Sequence, residues 1–327
     1  MKKILMSAAL LTSLGGALWA QDKPELIVYT YDSFVTDWGP GPAIETAFEA
    51  VCECELTFVP AGDGAALLSR VWLEGERSEA DVVLGLDNSL MEPARDMGIF
   101  APHNGIPENL SLPVGWTDDT FLPFDWGYLA FVYDNTKITE VPDSFAALAA
   151  SDLSIVIEDP RSSTPGLGLV FWVKTVYGDD AAGIWEDLSD NIVTVTKGWS
   201  EAYGMFLEGE ADMVLSYTTS PAYHLIAEED SSKSAAIFTE GHFMQIEVAA
   251  KLAHTDQNEL ADMFLAFMAD DAFQSVIPTT NWMYPVTAQE LPAGFDTLTT
   301  PTPIDAVALT SDFRDEALSE WLSALSQ

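Results

Sequence analysis

Along this chain apolar residues follow two rhythms, short runs in which almost every residue is apolar and longer stretches in which they recur every three or four positions. The first rhythm predicts strands at 26–30, 55–59 and 81–84, and the second predicts helices at 43–52, 65–74 and 90–97. Ile44, Ala47, Phe48 and Val51 share one side of the first helix, and Leu67, Leu68, Val71 and Trp72 one side of the second. After Pro123, strands are predicted at 127–133, 155–158, 192–196, 213–216 and 245–252. Helices are predicted at 144–150, 167–177, 201–208, 221–228, 259–268, 271–276 and 313–325. Strand and helix units recurring every ~30 residues predict an α/β fold on a parallel sheet.

Length turns this pattern into two lobes, because 327 residues exceed what one ordinary core holds. No repeat or low-complexity linker separates the halves, so crossing strands are expected to form the hinge, leaving the first lobe near residue 125 and returning near 247. The expected division is 21–125 with 247–327 as lobe 1 and 126–246 as lobe 2. Residues 1–20 read as a signal peptide, with the positive start Met1-Lys2-Lys3, an apolar stretch over 4–18 and a cleavage point after Ala20. No later stretch approaches ~18 uninterrupted apolar residues, so the mature chain is expected in the periplasm, free of the membrane.

Composition narrows the partners. Lys and Arg number 13 against 52 Asp and Glu, a net charge of −39, which excludes nucleic acid as a general partner. The carboxylates are spread along the whole chain and read as a solvated surface. Cys52 and Cys54, the only cysteines, form either a small disulfide or a pair of buried thiols. His103, His224, His242 and His254 lack zinc-site spacing, so no metal is expected. Neither a phosphate-binding loop nor a G-x-S-x-G elbow is present.

Candidate chemistry begins where the first strand ends, in VYTYDSFVTDWGPGP (28–42), a turn crowded with Tyr31, Asp32, Phe34, Asp37 and Trp38. Aromatic and acidic side chains at a strand's carboxyl end suit a flat cation. Tyr29 alternates with Tyr31 and is expected in the core.

Together with ADVVLGLDNSL (80–90), FLPFDWGYLAFVYD (121–134), EDPRSSTPGLGL (158–169), TVTKGWSEAYGMFLEGEADMVLSYTTSPAYH (194–224), EGHFMQIEVAA (240–250) and IPTTNWMYPV (277–286), this segment resembles the periplasmic thiamine-binding proteins of bacterial ABC importers. The resemblance implies a two-lobed type II periplasmic binding fold with the ligand cleft between lobes, no enzymatic activity and no cofactor. Thiamine, thiamine monophosphate and thiamine diphosphate are the implied ligands, and an importer permease with its separate ATPase the implied partner. Its ligand-contacting positions fall on Asp63, Gly64, Ser163, Thr164, Trp199, Tyr217, Thr218, Thr219 and Ser220, with Tyr31, Trp38, Tyr223 and Trp282 as lining aromatics.

These residue types suit thiamine. Its thiazolium is permanently charged and its aminopyrimidine flat, so tryptophan and tyrosine faces offer both stacking and cation–π attraction. Asp63 suits either the exocyclic amine or the cation. Hydroxyls of Ser163, Thr164, Thr218, Thr219 and Ser220 suit a hydroxyethyl group or its phosphate, with Pro165 and Pro221 at first-turn positions and only Arg161 and Lys197 as nearby cations. A polyamine or iron receptor of the same fold is an alternative, as is a secreted thiamine-degrading enzyme, which requires a nucleophilic cysteine in the cleft.

Overall fold

In a computed structural model, which describes residues 23–304 and 308–326, the strands are β1 (Glu25–Thr30), β2 (Glu55–Pro60), β3 (Val82–Asp87), β4 (Phe100–Ala101), β5 (Leu122–Asp134), β6 (Ile155–Glu158), β7 (Ile192–Thr196), β8 (Met213–Tyr217), β9 (Lys233–Ala235), β10 (Met244–Leu252) and β11 (Tyr284–Pro285). The expected signal peptide lies outside the described residues. Among the described residues no helix is long and apolar enough to cross a membrane.

The sheet path runs β2-β1-β3-β10-β5-β8-β6-β7. The expectation of a parallel sheet holds within each lobe, where β1 pairs β2 and β3, and β6 pairs β7 and β8, all in parallel. It is corrected at the junction, where β10 runs antiparallel to both β3 and β5, and β5 antiparallel to β8. The reason is topological: two strands that carry the chain out and back must run in opposite directions.

Strand β5 is also longer than predicted, because both halves are paired. Leu122 to Tyr128 lie against β10, and Leu129 to Tyr133 against β8. The predicted helix at 271–276 is instead two short ones, Asp271–Gln274 and Ile277–Thr280. Pro278 lacks an N–H and its ring opposes the carbonyl four residues back, that of Gln274, so the helix ends there. An unpredicted helix, Ala181–Leu188, buries Ala181, Trp185 and Leu188 at spacings the same periodicity rule covers.

Helix Thr164–Tyr177 is apolar on nearly all sides and sits at the centre of the second lobe, buried from Thr164 through Lys174. Against it and Ala181–Leu188 packs the C-terminal helix Ser311–Leu325, with Phe313 5.5 Å from Phe171 and the Lys174 ammonium bonded to Glu316 at 2.8 Å and Glu320 at 2.7 Å. This helix belongs to the segment 247–327 expected in lobe 1, yet its packing partners are helices of the second lobe. Apolar Phe313, Ala317 and Trp321 find their burial on the second lobe.

Of the two states left open for the cysteines, the structure holds the disulfide. Cys52 and Cys54 are joined at the end of helix Gly41–Cys52, and no free cysteine remains among the described residues.

Candidate functional site

Parallel strands in each lobe bring their carboxyl ends to a shared cleft, so the residues that follow those strands face one another. From the first lobe come Tyr31 after β1 and Asp63 after β2; from the second come Thr164 after β6, Trp199 after β7 and Tyr217–Ser220 at the end of β8. The cavity between them has a volume of about 480 Å³. Tyr31, Trp38, Asp63, Thr164, Trp199, Tyr217, Ser220, Tyr223 and Trp282 border it, and among the described residues no Lys, Arg or His does.

The remaining expected positions lie behind this surface. Gly64 starts helix Gly64–Glu74 and donates its amide to Asp63 Oδ1 at 2.8 Å; a Cβ on it would sit 2.4 Å from Thr164 Cγ2 and 2.6 Å from the Gly85 carbonyl. Only glycine permits that approach between lobes. Ser163 is fully buried, its hydroxyl turned to the Asp63 carboxyl. Thr218 is buried and lines a separate hollow with Tyr133 and Lys233, and Thr219 is buried with its hydroxyl 4.0 Å from Met283 Sδ. Of the five expected hydroxyls, Thr164 and Ser220 reach the cavity, because the turn after β8 sends successive side chains to different sides.

Asp63 joins the two lobes. While Oδ1 caps its own helix, Oδ2 accepts the amide of Trp199, the first residue of helix Trp199–Glu208 in the other lobe, at 3.2 Å. The Ala66 amide donates to the Ser162 carbonyl at 2.9 Å, and the Trp282 and Tyr223 rings meet edge-on at 5.3 Å, so contacts cross the cleft on both sides of the cavity. Trp282 holds φ 56, a left-handed conformation unusual for a bulky residue, with its amide bonded to the Ile277 carbonyl at 3.0 Å.

Three polar residues carried a signal of their own in the sequence. Gln245 and Glu247 alternate as polar residues in the otherwise apolar run Met244 to Ala250, and Asp125 interrupts the apolar run of β5. Glu247 borders the cavity and accepts from the Tyr31 hydroxyl at 2.9 Å. Asn281 donates to Asp125 Oδ2 at 2.5 Å. Burial pushes the Glu247 carboxyl up to about 7, aided by the charge of Asp63, and holds Asp125 and Glu158 well above the usual carboxylate range. Asp63 is raised too, by burial, against which the Ser163 hydroxyl and the amides of Gly64 and Trp199 work. A site lined by carboxyls, with no basic residue on its wall among the described residues, attracts a cation.

The aromatic side is layered. Trp199 stacks on Tyr203 at 5.0 Å, its Nε1 donating to Ser216 Oγ at 2.8 Å. Tyr203 in turn stacks on His224 and bonds its Nε2 at 2.9 Å. Donor atoms of His224, Glu228 and Asp230 lie within 4.8 Å of one another, but each is engaged, His224 with Glu228 and Tyr203, and Asp230 with Ser232 and Lys233. The other buried histidine, His242, is neutral in effect: burial lowers its pKa, Nδ1 donates to the Leu129 carbonyl and Nε2 accepts the Phe238 amide.

Gly85 shapes the same wall from below. With φ +106, it places a hypothetical Cβ 2.2 Å from the Tyr31 ring. Gly85→Ala is expected to displace Tyr31 from its bond to Glu247 and to cost about 1–3 kcal/mol of stability, read by urea unfolding; an unchanged midpoint would show that the backbone there relaxes freely.

The chain matches the family described as bacterial extracellular solute-binding protein over residues 78–305. It is 53% identical over 313 residues to the thiamine-binding periplasmic protein of Escherichia coli (strain K12), spanning 93% of this chain and 94% of that protein. To the thiamine-binding periplasmic protein of Haemophilus influenzae (strain ATCC 51907 / DSM 11121 / KW20 / Rd) it is 44% identical over 330 residues, 99% and 97% of the two chains. A solved periplasmic thiamin binding protein superposes with a TM-score of 0.89 at 53% identity over 93% of this chain and 97% of that one. A periplasmic binding protein from Actinobacillus pleuropneumoniae with fructose-6-phosphate bound, at 17% identity and a TM-score of 0.79 over 93% and 99%, shares the fold alone.

Proposed function

This chain belongs to the bacterial extracellular solute-binding proteins and, within them, to the thiamine-binding periplasmic group, and from that premise we propose that its cleft captures thiamine and its mono- and diphosphate and delivers them to an ABC importer. It is a periplasmic receptor and not an enzyme. The observation that carries the ligand is the cavity wall: tryptophan and tyrosine rings, the carboxyls of Asp63 and Glu247, and no basic residue among the described ones. Such a wall favours a flat, permanently charged ring, through cation–π attraction of about 0.5–2 kcal/mol per face.

Phosphate esters fit the same site through neutral donors. Thr164 and Ser220 border the cavity, each the first residue of its helix, where the backbone amide has no helical partner. Arg161 is turned away, bonded to Asp159 and lying over Trp321. Phosphate is therefore accepted and not required. A thiamine-degrading enzyme is disfavoured by the bonding of both cysteines to each other at the end of helix Gly41–Cys52.

The test is a calorimetric titration of the ligand-stripped mature protein with thiamine, its two phosphates and spermidine. Saturable one-to-one binding of thiamine with comparable affinity for its monophosphate is expected. Preference for spermidine would move the ligand to polyamines, and release of free pyrimidine would reopen the enzyme reading.

A further inference from the structure

Asp125 and Glu247 stand directly opposite each other in the β5–β10 ladder, the two strands that connect the lobes. Facing residues in an antiparallel pair bring their Cβ atoms to ~5 Å, too close for two buried carboxylates to remain charged together. Among the described residues, the groups around them are neutral or acidic: Tyr31 and Asn281 from the first lobe, Asp87 on β3, Gln245 on β10, Tyr217 on β8, Asp63 before its helix and Glu158 at the end of β6. Asp125 Oδ1 is buried without a hydrogen-bond partner, while Glu247 reaches the cavity.

We propose that Asp125 and Glu247 share one proton in the empty cleft and release it when a monocation enters, which makes Glu247 the charge-selecting group of the site. The O–H bond of the acid breaks, its electron pair stays on the carboxylate, the proton passes to solvent, and the ligand's positive charge takes its place. A neutral ligand of the same shape expels no proton. This inference rests on thiamine as the ligand.

Because the Glu247 carboxyl sits at about 7 in the empty site, binding tightens as pH rises through that value. The full mature protein is titrated with thiamine between pH 6 and pH 8 in buffers of different ionisation enthalpy. Proton release and an affinity about tenfold weaker at the acidic end are expected. Glu247→Gln is expected to bind thiamine more weakly, with a flat pH profile and heats independent of buffer; thiamine's own titration affects both proteins alike. Unfolding of the empty protein supplies a second readout. A carboxyl raised from about 4.5 to about 7 by folding stabilises below that window and loses the contribution as pH rises through it, so wild type should lose more stability than Glu247→Gln across it. Buffer-independent heats in the wild type with binding intact would overturn the shared proton. Absence of thiamine binding at every pH would instead overturn the receptor reading, and this inference with it.

Discussion

Trp199→Ala is expected to weaken thiamine binding by roughly a hundredfold, about 2–3 kcal/mol, while costing the empty protein only ~1 kcal/mol. The asymmetry follows from where the ring sits. Tyr203 covers one side of the indole and the cavity lies beside it, so the side chain is half-buried in the empty protein and becomes enclosed when a ligand enters. Removing it takes away the aromatic face and the cation–π attraction together. What the empty fold loses is mainly the bond from Nε1 to Ser216, whose hydroxyl keeps Ser220 as partner at 2.7 Å. Trp199→Phe should recover most of the affinity, since a ring remains. Equal affinities for Trp199→Ala and wild type in calorimetry would remove Trp199 from the site.

The largest expected loss of stability belongs to a tryptophan that never meets the ligand. Trp172 is fully buried in helix Thr164–Tyr177, with Phe145 at 4.8 Å, Phe238 at 5.5 Å and His242 at 4.8 Å around it. Its Nε1 donates to the Gly241 carbonyl at 2.8 Å. Trp172→Ala should cost about 3–5 kcal/mol, the transfer term plus the cavity left between Phe145, which meets it edge to face, and the tilted rings of Phe238 and His242. A buried carbonyl is also left unpaired. Urea unfolding reads this as a lower midpoint, and Trp172→Phe, which keeps an aromatic volume, should cost distinctly less. A loss under about 1 kcal/mol for the alanine variant would mean that the lobe repacks around the hole.

These two tryptophans also mark how far sequence could reach. Both stand near helix starts or in apolar stretches, and local pattern alone does not separate a core ring from a ligand ring. Trp199 was assigned to the cleft through the resemblance that WSEAYG carries, and the structure puts it beside the cavity. The same resemblance named Thr218 and Thr219, which are buried and do not border the cavity, Thr218 facing a separate hollow and Thr219 packing behind Met283. A run of three hydroxyls reads alike in sequence whichever side of the turn each occupies.

Strand and helix positions were legible because they depend on periods of two and 3.6 residues and on proline and glycine punctuation, all local properties. The strands predicted at 127–133 and 245–252 were legible as well, since β5 and β10 are long and largely apolar. Their antiparallel direction was not, because alternating units predict parallel pairing until the path between lobes is known. Glu247 and Asp125 escaped for a related reason: each is one acid among 52 acidic residues, and only the pairing of two strands makes them face.

What the sequence by itself determined, then, is which elements exist and which aromatic and acidic residues follow each strand. Tertiary structure alone decided which of them meet. Asp63 reaches the Trp199 amide across 136 positions and Tyr31 meets Asn281 across 250. Such contacts are set by the closing of two lobes around one cavity, and no local propensity encodes them. The protonation of the site's carboxyls was decided there too, because a pKa is moved by burial and by neighbours brought from distant parts of the chain.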